Sequence, residues 1–374
     1  MSRPIFSSQV AAFRLARQHL NGKGRANVVT LCRDVGGVQA QVSSAAELQL
    51  WARNHALTGA GIQAALWNQR TLVKTSLMRQ TLHWIPASEF SLYIAALQRS
   101  RLAFLRRIMW KYASVAPRQI DTLTAAIVEA LADGPLTRRE LAERITPRVS
   151  KQVRKWMKIA WGIMTVRPAL VEGLICYGPD RGPEPTFVLA DRWLPGQKEV
   201  DEAEAQRFLL RRYLSSFGPA ALRDFCKWAG LPVRETASVW EDLRPELIEI
   251  SVEGRESWLL RRDQAALENS QGDEPQLRLL PSFDPFLLGH AAKDHIVEAR
   301  HYKRIFRAGA RVSPAVLLGG RAIGIWSHTR GAKSLLVEVR PFAALSKPVR
   351  ARIEEEATSL ARFLGAPLQL SIAR

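Results

Sequence analysis

Along the first ninety residues the spacing of apolar positions changes several times, and each change predicts an element. In SSQVAAFRLARQHL (7–20), Val10, Phe13, Leu15 and Leu20 recur at roughly helical intervals, with Ser7 or Ser8 available as a cap. NVVTLCRDVGG reads as a second helix stopped by Gly36-Gly37. VQAQV, from Val38, alternates as a short strand does, and Ser43-Ser44 caps a third helix through AAELQLWARNHAL. GIQAALWNQR gives a short fourth helix, and LVKTSLM with TLHWIP alternate as the two arms of a hairpin. That order is the order of a winged helix, a helix-turn-helix followed by a β-wing.

The order recurs. TLTAAIVEALADG, PLTRRELAERI with Thr137 as its cap, and SKQVRKWMKIAWGIM with a basic outer face precede two strands, GLICYGPDRGPEP and TFVLADRWLP, whose joining loop carries Arg181. A third unit runs through AEAQRFLLRRYLSSFG, GPAALRDFCKWAG and LPVRETASVWEDL to the hairpin LIEISVEGRESWLL, turning at Glu253-Gly254. The last hundred or so residues change character. LRLLPSFDPFLLG, AVLLGGRAIGIWSH and SLLVEVRPF are strand-like, followed by a helix, RARIEEEATSLARFLG, and a final strand, PLQLSIAR. They predict a small β-barrel or curled sheet with one packed helix. Polar or Pro/Gly-rich stretches (VAPRQ, PGQKEVDE, NSQGDEPQ) set domains at 1–115, 116–199, 200–272 and 273–374. The expected fold class is α+β: tandem winged-helix domains with a C-terminal β-barrel.

Composition narrows the partner. At 374 residues and 47% hydrophobic, the chain can build more than one core, since single domains usually span ~100–200 residues. Lys+Arg 54 against Asp+Glu 35 gives a formal net charge of +19, an excess that favours a polyanion because neutralised phosphates release counterions. A basic solubility surface, or the arginine bias of a GC-rich genome, would give the same balance. Cys32, Cys176 and Cys226 are far apart and form no CxxC pair, which predicts a reducing, cytoplasmic setting. No run of ~18 uncharged apolar residues predicts a membrane span.

Several chemistries have no motif here: GxxxxGK[ST], HExxH and GxSxG are all absent. DPFLLGHAAKDHIVEARH gathers Asp284, His290, Asp294, His295 and His301 without a helical i, i+4 histidine pair, so a structural role is expected rather than a metal. LPGQ (194–197) is similar to the hairpin of helix-hairpin-helix repair enzymes but lacks the downstream Lys or Asp that they use. No cofactor is expected. There remain Gln39 and Gln41, which strand alternation places on one face while Ala40 points to the core. They could be the polar outer face of a small sheet. As chemistry, an amide neither takes a proton nor attacks; it orients water and offers a carbonyl dipole. That suffices only where the leaving group is already good. Guanine alkylated at N7 is cationic and departs without protonation, leaving an oxocarbenium ion that fixed dipoles can stabilise.

Gln39-Ala40-Gln41, RQTLHWIP (79–86), SFDPFLLGH and RVSPAVLLGGRAIGIW, with the threefold order of elements, resemble the YcaQ/AlkZ family of winged-helix DNA glycosylases, in its Gln-apolar-Gln branch. The resemblance implies a C-shaped monomer around duplex DNA containing alkylated guanine, and monofunctional excision with Gln39 and Gln41 positioning the water. It also implies bulky natural-product adducts or interstrand crosslinks of the azinomycin, hedamycin or trioxacarcin kind as substrates, in toxin self-resistance, without ordinary base flipping. A hairpin probing the minor groove is expected around Arg311 to Arg321. Arg79 and His83 are candidate phosphate contacts, unless His83 is merely half-buried beside Trp84. Lys151, Arg154, Lys155 and Lys158 fall at helical spacing and read as phosphate contacts or a solvated face. Trp51, Trp161 and Trp228 are expected in cores, and His290 near the active site. Two other classes compete: a winged-helix regulator, which usually dimerises on a palindrome, and a toxin-sequestering protein, which wants an aromatic-lined pocket.

Overall fold

The computed structural model describes residues 5–22, 25–159, 164–270, 275–331 and 334–373. The chain divides into two compact units, residues 1–62 with 210–374, and residues 63–209.

The first unit is built around a five-stranded sheet in the order Leu368–Ile372, Leu335–Pro341, Arg321–Arg330, Ala315–Leu318, Leu277–Leu280. Three ladders are antiparallel; the outermost pair, with Leu335 opposite Leu368, is parallel. Parallel neighbours need a crossover, and helix Lys347–Leu364 supplies it. It buries Ile353, Ala357 and Leu360 in the same core as the sheet and ends at Gly365 with φ 65°, the left-handed conformation glycine adopts without a Cβ clash. Among the described residues the two outer strands do not pair, so the expected barrel is an open sheet. Leu15, Leu20, Leu48 and Trp51 from the N-terminal segment complete that core. Helices Leu222–Ala229 and Val233–Leu243 precede hairpin Leu247–Val252/Arg255–Leu260. It turns at Glu253 (φ 51°) and Gly254 (φ 79°), two positive angles that match the twist of the flanking strands.

In the second unit a helical turn, Ala64–Asn68, leads into hairpin Leu72–Ser76/Leu82–Pro86 and then a 24-residue helix, Phe90–Ala113. Further helices follow, among them Pro117–Ala130, Arg138–Ile145, Lys151–Ile159 and Arg167–Val171. Thr137 accepts from the Glu140 amide while the Glu140 carboxylate accepts from the Thr137 amide, a reciprocal cap. Strand Leu136–Thr137 adds to hairpin Ile175–Arg181/Glu184–Leu189. Leu105, Ile127, Leu141, Val153, Trp156, Tyr177 and Phe187 share the core. Trp161 lies outside the described residues, while Trp51 and Trp228 are buried.

One polar group organises the first unit. Arg53 and Asp284 have fully buried side chains and meet through two bonds of 2.7 and 2.9 Å. Arg53 also donates to Gln49 O (2.7 Å) and Gln18 Oε1 (3.2 Å), and Asp284 accepts from the Phe286 amide (2.9 Å), capping helix Pro285–Leu288. Removing one partner leaves the other charged and without its counterpart in a dry interior. Asp284→Asn or Arg53→Met should each lower the unfolding free energy by about 3–5 kcal/mol, and the double Arg53→Met/Asp284→Leu variant by less than their sum. Urea denaturation measures this; simple additivity would show that the two side chains act independently.

Candidate functional site

The segment carrying Gln39 and Gln41 is positioned by the turn before it and the helix after it. Gly36 (φ 71°) and Gly37 (φ 96°) reverse the chain after helix Val28–Asp34, and a Cβ on Gly36 would lie 2.9 Å from the Trp228 ring. Strand Val38–Gln39 is only two residues long, because the chain bends at 41–42 into helix Ser43–Trp51. Ala40 is fully buried, as alternation predicts. The two amides nevertheless have different surroundings: Gln39 is 6% exposed, whereas Gln41 lies at the surface. Gln49 Nε2 donates to Gln39 O at 3.0 Å. From Gly36 to Ala46 the chain contains no acid or base, so what this segment offers a substrate is the two glutamine amides, the Ser43 and Ser44 hydroxyls and backbone groups.

Arg79 and His83 sit on the first hairpin of the second unit. Arg79 (φ 52°) and Gln80 (φ 60°) both occupy the left-handed region in its turn, an unusual conformation for non-glycine residues. His83 is 1% exposed; its Nδ1 donates to Thr81 O (3.0 Å), leaving Nε2 to accept from Arg79 Nη2 at 3.5 Å. Burial, then the Arg79 charge, holds this imidazole well below its ordinary pKa. Burial also lowers Arg79 to about 10. Of the pair, only Arg79 presents surface. His83 braces the turn from within, more deeply buried than the half-buried alternative.

On helix Lys151–Ile159, Val153 and Trp156 face the core while Lys151, Arg154, Lys155 and Lys158 are exposed. None of the four has an ion-pair partner among the described residues. Their neighbours differ: Arg139, Arg144, Arg148 and Arg181 pair with Glu143, Asp133, Glu129 and Glu140. Helix Lys151–Ile159 thus presents four exposed cations on one face, and helix Phe90–Ala113 of the same unit adds exposed Arg106, Arg107 and Lys111.

Arg311 and Arg321 belong to two separate turns. Arg311 stands directly opposite Arg307 in hairpin Phe306–Arg307/Arg311–Val312, which turns through Ala308, Gly309 and Ala310. Arg321 follows the Gly319-Gly320 turn, and a Cβ on Gly320 would lie 3.1 Å from Ala11 Cβ. Sequence reasoning missed Arg307. Its signal was FRAGARV, arginines flanking a glycine turn, and two like charges face to face are unfavourable unless an anion joins them. It also missed Gln49 and Arg53.

The residues of the DPFLLGHAAKDHIVEARH stretch disperse to different partners. Asp284 goes to Arg53, Asp294 pairs with Arg255, and His301 stacks on Phe342. His290 is 5% exposed, with Nε2 2.9 Å from Phe217 O and the His295 ring 4.8 Å away. Burial and the Arg14 charge lower His290 well below the ordinary range and His295 to about 3.

Comparison with known proteins agrees over nearly the whole chain. The sequence profile of the DNA glycosylase AlkZ-like family matches residues 32–363. An interstrand DNA cross-link repair glycosylase of Streptomyces sahachiroi is 32% identical over 370 residues, covering 96% of each chain. The solved structure of the S. sahachiroi DNA glycosylase AlkZ matches with a TM-score of 0.88 at 30% identity, over 99% of this chain and 100% of that one.

The buried histidines set the pH response. A histidine held neutral binds its proton in the unfolded chain before it does in the folded one, so its contribution is present above pH ~6.5 and lost as pH falls below it. His83, His290 and His295 all act in this sense. Glu356, pushed up to about 7 by burial, acts oppositely as pH falls from 7. The net expectation is a lower unfolding free energy from urea denaturation at pH 5.0 than at 7.5, by up to about 1.4 kcal/mol per pH unit below ~6.5 for each imidazole kept neutral, and a smaller drop in His83→Leu. An equal drop in that variant would mean His83 is protonated in the fold.

Proposed function

The chain belongs to the AlkZ-like family of DNA glycosylases, and from that premise we propose that it hydrolyses the N-glycosidic bond of cationic N7-alkylguanine in duplex DNA. The observation that carries the reading is Gln39-Ala40-Gln41, two side-chain amides in a segment without acid or base, the first buried, with its backbone oxygen accepting from Gln49 Nε2. As the C1′–N9 bond breaks, the base takes the electron pair, loses its positive charge and leaves an oxocarbenium ion on the sugar. Gln39 and Gln41 accept hydrogen bonds from a water and aim its oxygen at C1′; the water's proton is released to solvent. The leaving group needs no general acid, which fits the absence of one from this segment.

In this reading 1–115, 116–199 and 200–272 are winged-helix modules, and 273–374 is the sheet domain that completes the last of them. Lys151, Arg154, Lys155 and Lys158 take backbone phosphates, as does Arg79 from its hairpin turn. The Arg307/Arg311 hairpin and Arg321 approach the groove. The S. sahachiroi relative is named for interstrand cross-link repair, and at 32% identity over nearly the full length it supports bulky adducts and crosslinks as substrates here too. Removal of a DNA-alkylating toxin's lesions would make the enzyme a self-resistance factor, acting in the cytoplasm as a monomer.

Two measurements test this. In single-turnover excision of 7-methylguanine from duplex DNA, Gln39→Ala and Gln41→Ala should each slow base release ~10–1000-fold with duplex affinity nearly unchanged. Equal loss of binding would make the glutamines structural, and no release by the wild type despite tight binding would favour a regulator. Replacing Lys151, Arg154, Lys155 and Lys158 with Gln should flatten the slope of log K against log salt by about 3–4. An unchanged slope would remove this helix from the interface.

A further inference from the structure

Gln49 is fully buried on helix Ser43–Trp51 between Leu48 and Leu50, a position that packing alone would fill with an apolar side chain. Its Nε2 lies 3.0 Å from Gln39 O and 3.4 Å from Ser282 O. An amide nitrogen has two hydrogens and no lone pair to offer, so two carbonyl oxygens on one side fix which way the amide points. Its Oε1 is correspondingly turned away and has no hydrogen-bond partner among the described residues. The backbone oxygen of Gln49 accepts from Arg53 Nη1 at 2.7 Å, and Arg53 is clamped by Asp284. A line of bonds therefore runs from the buried ion pair through Gln49 to the peptide that joins Gln39 to Ala40.

We propose that Gln49 is a positioning residue for base excision, setting the plane of the Gln39–Ala40 peptide and with it the placement of both Gln39 and Gln41. The proposal rests on the reading that those two glutamines orient the hydrolytic water. The Gln39 carbonyl shares its rigid peptide unit with the Ala40 nitrogen, so a donor that fixes this oxygen fixes the exit of the chain toward Gln41. Ala40, fully buried, leaves the peptide little room to move on its other side. Displacement of a water-orienting amide by about 1 Å is enough to cost ~100-fold in rate.

The test is a double-mutant cycle on full-length protein: single-turnover excision of 7-methylguanine from duplex DNA by wild type, Gln49→Leu, Gln39→Ala and the double variant. Gln49→Met replaces the leucine variant if that one does not fold. The expected result is a limiting rate about 10–100-fold lower for Gln49→Leu, half-saturation at the wild-type enzyme concentration, and a double variant no slower than Gln39→Ala. A wild-type rate for Gln49→Leu, or a double variant slowed by the product of the two effects, overturns the proposal while leaving the role of Gln39 intact. A wild-type rate for Gln39→Ala sinks the water-orienting reading itself, and this proposal with it.

Discussion

Arg53 and Asp284 are 231 positions apart in the chain and have given up all contact with water. Stripping both ions of solvent costs several kcal/mol each, which their mutual attraction and dense hydrogen bonding offset, although Arg53 Nε has no partner among the described residues. Here the carboxylate receives two guanidinium bonds and a helix-capping amide, while the guanidinium reaches a helix carbonyl and a glutamine side chain. That Gln18 side chain in turn donates to Ser216 O. One ion pair thus joins the N-terminal helices, the helix ending at Phe217 and the approach to the sheet. Apolar packing would hold these elements together without fixing their register; directional bonds around a charge fix it.

Much of the fold was legible because hairpins and amphipathic helices announce themselves by local period. The turn at Glu253-Gly254, the reciprocal cap of Thr137 and Glu140, and the burial of Val153 and Trp156 beneath a basic face all follow from near neighbours in sequence. Helix Phe90–Ala113 was not read because its buried stripe includes Arg101, which donates to Ser76 O and Oγ at 2.7 Å; a charged residue on an inner face breaks the pattern. Whether the last sheet closes depends on pairing between its first and final strands, which no local period reports. The glutamine pair was found by its spacing, but the difference between a buried Gln39 and a surface Gln41 comes from a helix beginning sooner than a strand of five would allow. The inward position of His83 was hidden similarly, since it depends on two left-handed residues ahead of it.

Net charge alone would have misplaced the electrostatics. A formal +19 suggests a uniformly basic surface, yet many exposed arginines are tied to carboxylates, and exposed pairs of this kind contribute little beyond local geometry. The cations without a carboxylate partner include those on the outer face of helix Lys151–Ile159 and the opposed guanidiniums of Arg307 and Arg311. Field at a surface depends on which charges are left unneutralised, and pairing is a property of the fold.

The unit formed by residues 1–62 and 210–374 is interrupted by the whole of residues 63–209. During synthesis, therefore, Leu15, Leu20, Leu48 and Trp51 emerge long before the sheet that will bury them. At ~5–20 residues per second, roughly 15–60 s separate the synthesis of residue 62 from that of residue 374. Throughout that interval the segment bearing both glutamines has yet to meet the sheet that completes its core.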